Sequence, residues 1–450
     1  MSSPPDGAAL ERETQRIGRE LAAAFPSASR RPLRAIDARA MEYAASEEEL
    51  KAALFRFVDV APACDSLDDL ARHLVGFLAE VDEPSGPVSA ARRAAATRAG
   101  RAALGALAAG GVRHMAHRFI VGETLSSSKG VLTGLWERGV ATSVDLLGEA
   151  TVTAAEADGY ASRCDGALRE LHEIVRYWPT RASLEWDGTG LVPRANLSVK
   201  ISALTPLLRP DSPDTGREDA AARLIPLLQT AGADGAHLHI DMESLDSREA
   251  ILTLVLDVLA RSEFREGPSA GVVLQAYLRD SGEQLDEILA FAQATERSDP
   301  LVVRLVKGAY WDHELVQARQ HGWNTPVFES KAECDRNFEA LTRRLLDARP
   351  TVRVAIASHN LRSVAHAIAY NRLTGAGEHD FELQVLRGLG DELQDALASV
   401  GLRVRTYCPV GNTVAGMAYL VRRLLENTSN DSFLHAQAQG VALDALLAAP

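Results

Sequence analysis

From residue 140 onward two hydrophobic patterns alternate along the chain. Short, β-branched runs occur at TSVDLLGE from 142, NLSVKIS from 196, HLHIDME from 237, GVVLQAYL from 271, LVVRLVKG from 301, VRVAIASHN from 352, FELQVLRG from 381 and LRVRTYCPVG from 402. Between them lie stretches with apolar residues at helical spacing, among them REDAAARLIPLLQTA, SREAILTLVLDVLARS, SGEQLDEILAFAQAT, KAECDRNFEALTRRLLDA, NLRSVAHAIAY and DELQDALASV. Eight buried-type strands, each followed by a helix, predict an α/β fold of the TIM-like (β/α)8 class over about 300 residues. An open doubly wound sheet is the competing architecture, but the first strand lacks the GxGxxG turn of a dinucleotide fold. The N-terminal portion is patterned differently. Helix-like SEEELKAALFRFV and alanine-rich AARRAAATRAGRAALGALAAG are separated by breakers such as PSASRRPLR and DEPSGPV. The resulting expectation is a helical arm or accessory domain over 1–115, the barrel over 116–435 and a C-terminal helical tail over 436–450.

Chemistry on such a barrel gathers at the carboxyl ends of the strands. Late strand positions or the turns after them carry Glu149 on the first, Lys200 on the second, Asp241 on the third and Gln275 on the fourth. Arg304 and Lys307 follow on the fifth, Ser358, His359 and Asn360 after the sixth, Gln384 on the seventh and Tyr407 on the eighth. Any one of these is explained as a rim residue; eight strands delivering polar groups to one rim argue for a site. Beyond the eighth strand comes AYLVRRLLENTSNDSF, where Tyr419, Arg422, Arg423 and Glu426 fall within about 100° of helical arc, opposite a leucine face. Taken alone this is an amphipathic surface helix whose Arg/Glu pairs contribute only ~0.3 to 0.5 kcal/mol. Folded over the barrel mouth, the two guanidinium forks become a candidate for capturing a carboxylate or phosphate. The HxHxD run of His237, His239 and Asp241 has the form of a hydrolase metal site. No carboxylate cluster accompanies it, so packing histidines are preferred and no metal is expected.

Composition narrows the setting. With 61 acidic and 48 basic residues the formal net charge is -13, which disfavours nucleic acid as a partner. Cys64, Cys164, Cys334 and Cys408 are scattered without a CxxC, the pattern of a reduced, cytoplasmic environment. The polar start MSSPPDGAALERETQ has no signal-peptide order, and no stretch nears ~18 consecutive apolar residues.

Lys200, Asp241, RLVKGAYWD and YLVRRLLEN, taken in order, make the chain resemble the proline dehydrogenase domain of bifunctional bacterial proline utilization proteins, from about 117 to 433. The resemblance implies a distorted (β/α)8 barrel holding FAD and oxidising L-proline to Δ1-pyrroline-5-carboxylate, with electrons leaving to a quinone. Arg422 and Arg423, helped by Lys200, would bind the substrate carboxylate, and Asp241 would orient Lys200. Tyr407, Tyr310 and Leu386 would line the ring pocket, and Glu149 would pair with the first arginine as a gate. Toward the flavin, Gln275 and Arg304 would meet its polar edges, Trp311 would pack on it, and Val306, Lys307, Gly308, Lys331, Ser358, His359, Asn360, Gln384, Glu426 and Ser432 would hold the rest or brace the site. Implied partners are an aldehyde dehydrogenase module and peripheral contact with a membrane, with no DNA-binding unit at the N-terminus. A related secondary amine such as hydroxyproline, with Tyr419 tuning substrate size, and a non-catalytic amino-acid-binding or partner-binding barrel are the alternatives.

Overall fold

The computed structural model describes residues 5–26, 48–82, 86–148, 150–412, 416 and 440–450. Eight parallel strands close a barrel: β1 Val140–Leu146, β2 Asn196–Val199, β3 His237–Ile240, β4 Ser269–Gln275, β5 Leu301–Val306, β6 Val352–Ala357, β7 Glu382–Leu386 and β8 Val404–Val410, each paired with its sequence neighbours and β1 with β8. All eight predicted strands are present. Their outward residues, such as Leu197, Leu238, Leu274, Leu305, Ile356 and Leu383, are buried under the surrounding helices. Alternate, inward residues are largely polar: Ser143 and Asp145, Asn196 and Ser198, His237 and His239, Arg353, Glu382 and Gln384, Arg403 and Arg405. Strands buried on both faces still alternate here, because the barrel interior carries hydrogen-bonded layers instead of aliphatic ones.

The lower end of the barrel is closed by a hairpin too short to show periodicity, Trp186–Asp187 against Gly190–Leu191. Asp187 receives Arg353 at 3.0 Å and Arg403 at 3.5 Å, and Arg353 also donates to the Leu191 carbonyl at 2.9 Å. Above it, His237 Nε2 meets His239 Nδ1 at 3.0 Å and His237 Nδ1 meets Ser269 Oγ at 2.9 Å. Gly271 provides the room, since a Cβ there would lie 2.4 Å from His239 Nδ1. Burial, then the charge of Arg405 and Arg304, holds both rings well below the usual histidine range.

The N-terminal region divides in two. Helix α1, Gly7–Ala23, packs against the barrel helix Leu361–Leu373, and Leu10, Ile17 and Leu21 belong to the main core. Helices α2 Glu48–Val60, α3 Leu67–Leu78, α4 Gly86–Ala94 and α5 Arg98–Phe119 bury a second, smaller core around Leu50, Phe57, Leu70 and Leu74. The alanine-rich run is broken between α4 and α5 because the Thr97 hydroxyl accepts from Gly100 N at 3.0 Å, capping a new helix. Phe119 and Ile120 tie this unit to the barrel, and Arg118 donates to the Gly388 carbonyl at 3.1 Å.

Candidate active site

Parallel register decides which polar groups meet at the carboxyl ends. Val199 pairs with Ile240, so the next residue of each strand, Lys200 and Asp241, emerge side by side. Asp241 is the hub. Its Oδ1 accepts from Arg304 Nη1 at 2.8 Å, and its Oδ2 accepts from the Tyr407 hydroxyl at 2.6 Å and from Lys200 Nζ at 3.4 Å. Arg304 is buried, donates a second bond to Ser198 Oγ at 3.2 Å and sits over the Tyr407 ring, 5.4 Å from its centroid. Burial would lower the Lys200 pKa, but Asp145, Asp241 and Glu243 outweigh it and hold the ammonium above the ordinary lysine range. For Tyr407, burial followed by the nearby Asp145 and Asp241 charges raises the phenol far above its usual value. The lysine therefore stays charged and the phenol neutral at any working pH.

These groups form one wall of a cavity of about 680 Å³. All the other site residues predicted from sequence that fall among the described residues line it too: Tyr310, Leu386, Gln275, Val306, Lys307, Gly308, Trp311, Lys331, Ser358, His359, Asn360 and Gln384. Several are locked by local bonds. Trp311 Nε1 donates to the Phe328 carbonyl at 2.8 Å, Lys307 pairs with Asp335, and His359 Nε2 accepts from Leu386 N at 2.9 Å. The Asn360 side chain caps the helix Leu361–Leu373 through Ser363 N, while Ser358 Oγ accepts from Asn360 N. The Gln384 amide turns down the barrel toward Glu382 at 2.7 Å. Glu149, Tyr419, Arg422, Arg423, Glu426 and Ser432 lie outside the described residues.

Two features mark the cavity as built for a ligand with polar edges. Gln275 Oε1, Arg304 Nε and the Tyr277 hydroxyl are buried without a hydrogen-bond partner among the described residues, an arrangement a protein rarely leaves unfilled. At Gly308 the backbone has φ 131, and a Cβ would lie 2.1 Å from the Tyr277 ring, so the wall closes only around a glycine.

Asp145, Glu243, Tyr277 and Asp335 also line the cavity and were not singled out from sequence. Asp145 lies within TSVDLLGE and Glu243 two residues past Asp241, where an inward-facing alternation was the available signal. The HxHxD run is divided between layers. His237 and His239 border a small space low in the barrel, whereas Asp241 lines the upper cavity. Among the described residues, a His/Cys/carboxylate grouping with ligand spacing occurs elsewhere, at Cys64, Asp69 and His73 on the helical arm.

The proline dehydrogenase family profile matches residues 130–436, and the proline utilization A N-terminal domain profile matches 11–119. The bifunctional protein PutA of Salmonella typhimurium is 32% identical over 350 residues, covering 75% of this chain and 25% of that protein. Proline dehydrogenase of Deinococcus radiodurans is 28% identical over 346 residues, 76% of this chain and 96% of its own length. Among solved structures, proline utilization A from Bdellovibrio bacteriovorus, inactivated by N-propargylglycine, superposes with a TM-score of 0.87 at 32% identity, over 98% of this chain and 44% of that one. The chain thus spans about a quarter of the length of the bifunctional relatives it matches. With a closed eight-stranded barrel, a helical N-terminal unit and profile matches over both, the chain belongs to the proline dehydrogenase family.

Proposed function

We propose that the chain oxidises L-proline to Δ1-pyrroline-5-carboxylate at an FAD held in the barrel mouth. The observation that carries this reading is the Lys200–Asp241–Arg304–Tyr407 network inside the cavity, in a chain of this family. The residues fit a flavin: the orphaned Gln275 and Arg304 atoms suit the hydrogen-bonding edge of a flat ring, Trp311 offers an apolar face, and Lys307, Lys331, Ser358 and Asn360 offer polar groups for the remainder. When bound, the flavin would supply the acceptor for the hydride leaving the ring carbon next to nitrogen and pass the electrons on to a quinone.

The chain's own groups set the geometry. Arg304, pinned by Asp241 and Ser198, presents a fixed positive charge that needs no reorganisation as negative charge develops nearby. Tyr407, hydrogen-bonded to Asp241 and shielded by Arg304, forms a neutral wall for the substrate ring, with Leu386 and Tyr310 beside it. Lys200 and, from sequence, Arg422 and Arg423 take the substrate carboxylate, so that the small amino acid is held at one end and oriented at the other. The bifunctional names of the relatives support a second catalytic module as partner, and an aldehyde dehydrogenase would suit the product. Peripheral contact with a membrane is the proposed route to its quinone; no helix among the described residues is long and apolar enough to cross a membrane.

The test is the absorption spectrum of the purified protein followed by anaerobic titration. Flavin bands near ~380 and ~450 nm, bleached by L-proline at lower concentration than by hydroxyproline, are the expected result. A flavin-loaded protein that proline leaves oxidised would overturn the reading.

A further inference from the structure

We propose that Asp145 is a positioning residue for Lys200, fixing the ammonium in the direction from which it meets the carboxylate of the substrate. This rests on the reading of the site as one that binds proline. Asp145 is fully buried near the end of β1 and pairs in register with Ser198, two residues before Lys200 on β2. Its Oδ1 accepts from Lys200 Nζ at 2.7 Å, much closer than the 3.4 Å between Nζ and Asp241 Oδ2. Asp241 is a divided partner. Its Oδ2 is already engaged by Tyr407 at 2.6 Å and its Oδ1 by Arg304 at 2.8 Å.

Asp145 is undivided by comparison. Its other oxygen is buried and has no hydrogen-bond partner among the described residues, so Lys200 is the group that its carboxylate serves. An ammonium has three N–H donors. Two are directed at Asp145 and Asp241, and the third remains for a ligand in the cavity that both Asp145 and Lys200 line. Without Asp145 the lysine would turn toward Asp241 and compete with Tyr407 for one oxygen, moving the charge away from the carboxylate subsite. Among the described residues, Glu243 after β3 and the hydroxyl of Tyr160, which accepts from Lys200 N at 3.4 Å, also lie near Lys200. Neither bonds Nζ.

The experiment is a double-mutant cycle in the flavin-loaded enzyme: Asp145→Asn and Lys200→Met, singly and together, with kcat and KM for L-proline. Asp145→Asn is expected to raise KM roughly 10- to 50-fold while kcat falls less than about threefold and flavin content stays normal. In the Lys200→Met background the same change is expected to cost less than about threefold, because the group it positions is gone. A Lys200→Met enzyme with the wild-type KM, an unchanged KM in Asp145→Asn, or an equal loss in both backgrounds overturns the assignment. If the Asn variant fails to load flavin, Asp145→Ser, which keeps a polar group in less volume, carries the same cycle. A wild-type protein inert toward proline removes the functional reading as well, which separates the two failures.

Discussion

Buried histidines make this molecule sensitive to acid through individual rings. His366 lies between Arg343 and Arg362, and burial followed by those two charges holds its pKa down at about 3, against 6.5 when exposed. Arg343 Nη1 lies 3.1 Å from Nε2, which a neutral ring accepts and a protonated one cannot. Below pH 6.5 the unfolded chain gains a proton that folded His366 refuses, so stability is complete above that pH and declines as pH falls toward 3. His237 and His239 act in the same direction. For His366 the slope approaches about 1.4 kcal/mol per pH unit in that window. Urea unfolding between pH 7 and 4 should show the decline, and His366→Asn should make it shallower; an identical slope would refute the assignment. At the same scale, and on the proposed role of Arg422 in binding the substrate carboxylate, Arg422→Met should raise the proline KM by about 10² to 10³. Asp145 shows what single residues conceal in sequence. Its neighbours Val144 and Leu146 are apolar, and its partner is 55 positions away across a strand register that only closure of the barrel creates.

Strands and helices were legible where their burial imposed a pattern. The eight barrel strands are covered by helices on one side, and β-branched runs mark them regardless of what the inner face carries. The helix Trp311–His321 was harder to read, since only Glu314, Leu315 and Ala318 are buried and the rest of its surface is polar. The closing hairpin is two residues per strand, below any period. The turn after β5 tests how tightly an element is specified: Gly308→Ala forces an unfavourable φ and drives a methyl into Tyr277. A loss of about 2 to 3 kcal/mol is expected, read by thermal melting, and, on the proposed function, weaker flavin retention, read by the flavin-to-protein absorbance ratio. Thr153→Ala offers a contrast at a residue that does not line the cavity. It removes the capping box with Glu156 at the start of the helix Ala154–Val175 and should cost about 1 kcal/mol with kcat unaltered.

At the scale of the whole molecule, the barrel and its mouth follow from local pattern, but the attachment of the N-terminal segments does not. Helix α1 is amphipathic like α2 and α3, yet it joins the barrel core whereas they form their own. What separates them is a distant ion-pair set. Arg362 donates to Glu11 at 2.7 and 2.8 Å, to Glu339 at 2.9 Å and to the Leu447 carbonyl at 2.6 Å. Gly18 leaves room for Leu447, whose side chain would lie 2.5 Å from a Cβ. Residues near positions 11 and 447 are thereby clasped on one barrel helix. Mechanically this is a buckle: tension applied between those two positions loads the Glu11–Arg362–Leu447 contacts. Single-molecule extension from these two points should therefore show a small early rupture before the barrel yields, weakened in Arg362→Ala.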